Sequence, residues 1–175
     1  MKRAAAVLLV LAASAAAAPR TSAQEAIYIV RHGEPTGQGM LRRTPAGGQP
    51  ADPPLSTDGI ARSYKLRDVL ADAGVSHIFT SELRRTIETG AALAAVRHLT
   101  PVPVAASDAA TLAARLAALG PHDRALVVGH SNTVPALLTA LGVEAAVTIG
   151  EDDYDNLFIV VPQKEGRPVL LRLKY

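Results

Sequence analysis

Two short segments, Ile29-Val30-Arg31-His32-Gly33-Glu34 and Val127-Val128-Gly129-His130-Ser131-Asn132, each set a histidine at the end of an apolar run. Between them, Ser81-Glu82-Leu83-Arg84-Arg85-Thr86-Ile87-Glu88-Thr89 carries two adjacent arginines. An imidazole offers a nucleophilic ring nitrogen or a hydrogen-bond donor near neutral pH, and a guanidinium offers a planar fork of donors that fits phosphate oxygens in pairs. Phosphoryl transfer calls mainly for positioning and for cationic hydrogen bonds around three charged oxygens. In this reading Arg31 and Arg85 supply the forks and His130 a further donor. His32, in its neutral form, attacks phosphorus, and a covalent phosphohistidine divides one difficult step into two.

These residues meet only if the fold brings them to one place. Apolar runs at Ile27–Val30, Ile78–Thr80, Val102–Val104, Ala125–Val128, Leu157–Val161 and Val169–Leu173 predict strands. Segments from Thr57 to Ala73, Leu83 to Leu99 and Thr111 to Leu119 have helical composition, the first and last closed by Gly74 and Gly120. In the first of them the apolar positions are Ile60, Tyr64, Leu66, Val69 and Leu70. Alternating strands and helices imply an α/β fold with a mainly parallel sheet, whose ligands bind at the carboxyl ends of the strands. Pro162-Gln163-Lys164-Glu165-Gly166-Arg167-Pro168 is short and turn-rich, which predicts an antiparallel hairpin at one edge. The stretch from Pro35 to Pro54 holds five prolines and four glycines and almost nothing apolar. It reads as a loop beside Arg31-His32, either a lid over a site or plain surface.

Four segments in order, Arg31-His32-Gly33-Glu34, Leu55-Ser56-Thr57-Asp58-Gly59, Ser81-x-Leu83-x-Arg85-x-x-x-Thr89 and Gly129-His130, resemble the signature of the histidine phosphatase superfamily, also called phosphoglycerate-mutase-like. The resemblance implies a three-layer α/β/α sandwich, a phosphorylated small molecule or phosphoprotein as substrate, and neither metal nor cofactor. It implies His32 as nucleophile, with Arg31, Arg85 and His130 forming the phosphate pocket. Gly59 and Thr89 match the pattern as structural residues. The chain departs from the pattern at Pro35 and Gln38, where many relatives carry Ser or Thr and then Asn. It also lacks the motif in which larger relatives carry a proton-donating Glu. Asp108 is a candidate substitute, although Ser107 or Asp108 is equally the expected cap of the following helix. Glu34 is a second candidate, and Glu151, Asp152 and Asp153 are weaker ones.

Other readings of the same residues fare less well. Gly129-His130-Ser131-Asn132-Thr133 resembles a serine-hydrolase nucleophile elbow, but no histidine follows His130 and Thr133 stands where the last glycine belongs. His32, His122 and His130 have no metal-ligand spacing. His77, His98 and His122 have no motif around them, and Arg84, Arg42 and Arg43 read as solvated charges. A phospho-ligand binding module without turnover stays open because the acid motif is missing. A mutase is disfavoured by the short chain.

Lys2-Arg3 followed by an apolar, alanine-rich run through Ala18 reads as a secretory signal peptide over residues 1–23, cleaved after Ala23. Residues 24–175 then form one histidine phosphatase domain, long enough to bury roughly 70% of its unfolded surface. Loss of Lys2, Arg3 and Arg20 takes the formal charge of +2 down by three, to −1. The expected location is secreted or periplasmic, with no stable membrane association after the signal is removed. No basic tract suggests a nucleic-acid partner. The chain has no cysteine, so no disulfide contributes to its stability.

Overall fold

A computed structural model describes residues 25–37 and 52–175. The signal segment at residues 1–23 and most of the Pro/Gly-rich stretch, including Gln38, Arg42 and Arg43, lie outside the described residues.

Among the described residues six strands form one sheet: β1 (Ala26–Arg31), β2 (His77–Thr80), β3 (Val102–Pro103), β4 (Arg124–Gly129), β5 (Asn156–Val161) and β6 (Val169–Lys174). Their order is β3-β2-β4-β1-β5-β6. β1 pairs parallel to β4, β4 to β2 and β2 to β3, whereas β5 runs antiparallel to β1 and β6 antiparallel to β5. The expected hairpin is present, and its first strand also reverses direction against β1.

Among the described residues four helices cover the sheet: α1 (Thr57–Leu70), α2 (Arg84–Arg97), α3 (Ala109–Ala117) and α4 (Thr133–Ala140). Central strands buried on both faces carry apolar residues at consecutive positions, and successive side chains serve opposite cores. Ile27, Ile29, Val127 and Phe158 pack with Leu116, Leu137 and Leu138 of α3 and α4. Val30, Leu126, Val128 and Leu157 pack on the other face with Leu66, Leu70 and Leu93 of α1 and α2. The result is the expected three-layer sandwich.

The structure differs from these expectations at three places. In α1 only Leu66 and Leu70 of the expected apolar set are buried, while Ile60, Tyr64 and Val69 remain about half exposed. The third predicted strand shrinks to two residues, pairing only Phe79 with Val102 and Thr80 with Pro103; Pro103 is tolerated because the N–H it lacks would face the open edge, while Val104 N donates to Thr80 O at 2.9 Å. α4 had no counterpart in the sequence reading. It begins Thr133-Val134-Pro135, which lowers its local propensity, yet a proline in the first turn costs no intrahelical bond.

Candidate active site

His32 and His130 follow β1 and β4 directly. The parallel register sets Arg31 opposite Gly129, and His32 N donates to Gly129 O at 3.0 Å. Adjacent strands therefore deliver both imidazoles to the same carboxyl edge, with ring centroids 5.1 Å apart and planes at 64°. Nearly a hundred residues of sequence separation collapse into one strand spacing.

The turn after β1 is shaped by two glycines packed against each other. A Cβ on Gly33 would sit 3.0 Å from Gly59 O, and one on Gly59 would sit 2.3 Å from Glu34 O. Gly59 lies in the first turn of α1, where the Ser56 hydroxyl accepts from its N–H at 3.2 Å. Gly33 N donates to Thr89 Oγ1 at 2.9 Å, and that hydroxyl donates to Arg85 O at 2.7 Å. The signature Gly59 and Thr89 thus tie the turn that carries His32 to α1 and α2.

Hydrogen-bond partners settle the state of His32. Its Nδ1 lies 2.8 Å from Gly33 O, a carbonyl that only accepts, so Nδ1 carries the proton. Nε2 is left with its lone pair, toward which Arg85 Nε donates at 3.2 Å. Burial pushes the imidazole down to about 3; the Gly33 bond opposes this, and His130, Arg85 and Arg31 add to it. His130 is pushed down to about 4, again mainly by burial, with Arg85 and Arg31 lowering it and Glu82 and Asp52 opposing. Both rings are neutral at pH 7, and the lone pair of His32 Nε2 faces Arg85.

The two arginines supply the cationic walls. Arg31 Nη1 donates to the carbonyls of Gly150, Glu151 and Asp153 at 2.8, 2.7 and 3.4 Å. Its guanidinium lies 3.9 Å from the centroid of the Tyr154 ring. Arg31 Nε is buried with no hydrogen-bond partner, as is Nη1 of Arg85. Arg85 stands in the first turn of α2, with Asp52 3.7 Å from its Nη1. Asp52 also accepts from Arg84 N at 2.8 Å and so caps the helix from another segment. Unfilled donors on buried guanidinium groups, beside a nucleophilic nitrogen, are what an incoming phosphoryl group would satisfy.

Three of the acid candidates are committed elsewhere. Glu34 is gripped by Arg62, whose Nε donates to both carboxylate oxygens at 3.0 and 2.9 Å and whose Nη2 closes the pair. Burial works to raise the Glu34 carboxyl, but the Arg62 bonds and charge prevail and hold it below its usual range. Asp108 caps α3 by accepting from Thr111 N at 2.9 Å, and hydrogen bonding from the Thr111 side chain and then its backbone lowers the carboxyl. The Asp153 carboxylate accepts from Gly150 N at 3.0 Å. Glu151 and Asp153 reach the site through their main-chain carbonyls on Arg31. Neither Glu34 nor Asp108 is held protonated for donation.

Arg84 is exposed and pairs with Glu88 one turn along. His77 opens β2 and bonds Ser76, and His98 is the left-handed cap of α2. Sequence reasoning missed Asp52, Ser81 and Tyr154. An aromatic next to the acidic run Glu151-Asp152-Asp153, in a chain with only 3% aromatics, was the available signal for Tyr154.

A profile of the histidine phosphatase superfamily (branch 1) matches residues 27–110, which carry both arginines and His32. Over that segment, just under half of its length, the chain resembles the histidine phosphatase superfamily. The "Probable phosphoglycerate mutase GpmB" of Proteus mirabilis is 37% identical over 68 residues, 39% of this chain and 30% of that protein. The match spans less than a third of that relative's length. Among solved structures, the protein histidine phosphatase SixA complexed with tungstate superposes with a TM-score of 0.66 at 18% identity, over 85% of this chain and 96% of the other. The mycobacterial glucosyl-3-phosphoglycerate phosphatase gives 0.63 at 16% identity, over 86% and 98%. At these identities the likeness establishes the histidine phosphatase fold.

Proposed function

We propose that this protein is a phosphatase working through a phosphohistidine at Nε2 of His32. The observation that carries this reading is the fixed tautomer of His32, its lone pair presented between two buried arginines with unfilled donors. In the first step Nε2 attacks phosphorus and the bond to the leaving group breaks, its electron pair departing with that group. In the second, water attacks the phosphohistidine, the N–P bond breaks, inorganic phosphate leaves and Nε2 regains its lone pair. Arg31, Arg85 and His130 hold the phosphoryl oxygens in both steps, so the charge of the transferred group is met without metal or cofactor.

The commitment of Glu34 to Arg62 and of Asp108 to α3 bears on the substrate. Without a dedicated acid the leaving group must depart with little protonation, which favours aryl phosphates and phosphohistidine over alkyl phosphates. The neighbours named for protein histidine phosphatase and glucosyl-3-phosphoglycerate phosphatase support a phosphorylated substrate. The basic and apolar start of the chain supports export, with cleavage after Ala23.

The test is hydrolysis of an aryl phosphate in EDTA by wild type and His32→Ala. Wild type is expected to turn over, and the variant to lose at least about a thousandfold in rate while still binding vanadate. Comparable turnover by both would overturn the nucleophile assignment. Phosphate binding without turnover by wild type on aryl phosphate and phosphohistidine alike would make the protein a phospho-ligand binder.

A further inference from the structure

We propose that Ser81 is a positioning residue for the second histidine, its hydroxyl donating to His130 Nε2 and so holding the ring proton on Nδ1, the nitrogen left for a phosphoryl oxygen. The assignment rests on the reading of this pocket as a phosphate site. Ser81, at 4% exposure, and Thr86, at 0%, form a closed polar chain with His130. Ser81 Oγ stands 2.9 Å from His130 Nε2 and 2.9 Å from Thr86 Oγ1.

Counting protons along that chain gives its direction. Thr86 Oγ1 lies 2.7 Å from Leu83 O and 3.1 Å from Ser81 O, and carbonyls only accept, so the single Thr86 proton goes to them. Leu83 N donates to Ser81 Oγ at 3.3 Å, filling one of its acceptor sites. The Ser81 proton is then left with two destinations, the Thr86 oxygen and the His130 nitrogen. An imidazole nitrogen is far more basic than an alcohol oxygen and is the better acceptor, so the proton goes to Nε2.

The alternative arrangement would work against the site. A proton on Nε2 would leave a bare lone pair on Nδ1, pointing repulsion rather than a hydrogen bond at a phosphoryl oxygen. The ring has little room to compensate, because it is buried, and its backbone is fixed by His130 N donating to Thr133 Oγ1 at 2.9 Å and by Val134 N donating to His130 O at 3.0 Å. Which nitrogen of a neutral histidine carries the proton is set by the partner of the other nitrogen. Gly33 O does this for His32 and Ser81 does it for His130, with opposite polarity: an acceptor on Nδ1 of the first ring, a donor on Nε2 of the second.

The experiment is nitrogen-resolved NMR of histidine-labelled protein, with and without inorganic phosphate, on wild type, Ser81→Ala and Thr86→Val. Wild type is expected to show His130 protonated on Nδ1 and bare on Nε2. Ser81→Ala should lose this preference, with kcat/KM for an aryl phosphate and affinity for inorganic phosphate both falling about tenfold. Thr86→Val disturbs the same buried cluster but spares the donor, so it should keep the wild-type tautomer. A proton on Nε2 in wild type, an unchanged ring in Ser81→Ala, or loss of the tautomer in both variants would overturn the assignment. The ring spectrum needs no turnover, so it decides the role of Ser81 even if His32→Ala were to refute the phosphohistidine step.

Discussion

His32 and His130 are buried at 5% and 7% exposure among guanidinium groups, and that environment has a cost away from catalysis. An unfolded chain takes up protons at histidine near pH 6.5, whereas the folded rings do so only near 3 and 4. Below about 6.5 the unfolded state therefore binds protons that the folded state refuses, and stability falls with pH until roughly 3 to 4. Between pH 6.5 and 5 the urea midpoint should drop steadily, and His32→Ala or His130→Ala should each flatten that dependence by close to one proton. A slope unchanged in either variant would mean that the residue titrates normally in the folded protein. At this scale the four pocket residues were legible because their motifs pair charged groups with strand ends. What happens to Glu34 was not, since Arg62 lies 28 residues further on and only packing brings its fork to that carboxylate. Asp108 was open between two roles in the sequence, and its bond to Thr111 N shows the capping one.

Among the elements, the contact of α1 with the turn after β1 carries the most geometric demand. An alanine in place of glycine inside an open helix would stabilise it by about 1 kcal/mol. At position 59 the added Cβ would meet Glu34 O at 2.3 Å, a backbone atom that cannot move without displacing Gly33 and His32. Gly59→Ala should therefore destabilise by about 3 kcal/mol in chemical denaturation and depress turnover in the surviving folded fraction. A neutral or stabilising effect would show that α1 slides freely over the turn. Most helices and strands could be read from the sequence because buried strands run apolar at consecutive positions and the helices are rich in Ala and Leu. α4 escaped because it is short and opens with β-branched residues and proline. Tyr154 and Asp52 escaped because they sit in loops, where no periodicity marks a residue, and reach Arg31 and Arg85 only through tertiary closure.

Across the whole molecule the reacting groups are distributed from the middle of the sheet outward. β1 and β4 lie side by side at its centre, while the margins are the two-residue β3 and the largely exposed β6, with Val169, Leu171 and Leu173 about half accessible. Local opening begins where few buried contacts hold the backbone, so the margins should exchange amide hydrogens well before Ile29, Val30, Val127 and Val128. In urea, loss of turnover and loss of far-ultraviolet circular dichroism should then coincide, and activity lost at clearly lower urea would place a weaker link within the site itself. Seating the proposed nucleophile at the end of a central strand makes it a gauge of folding. Fraying at either margin leaves the gauge unmoved, and a molecule that registers on it has its central strands assembled, so counting turnovers amounts to counting intact cores.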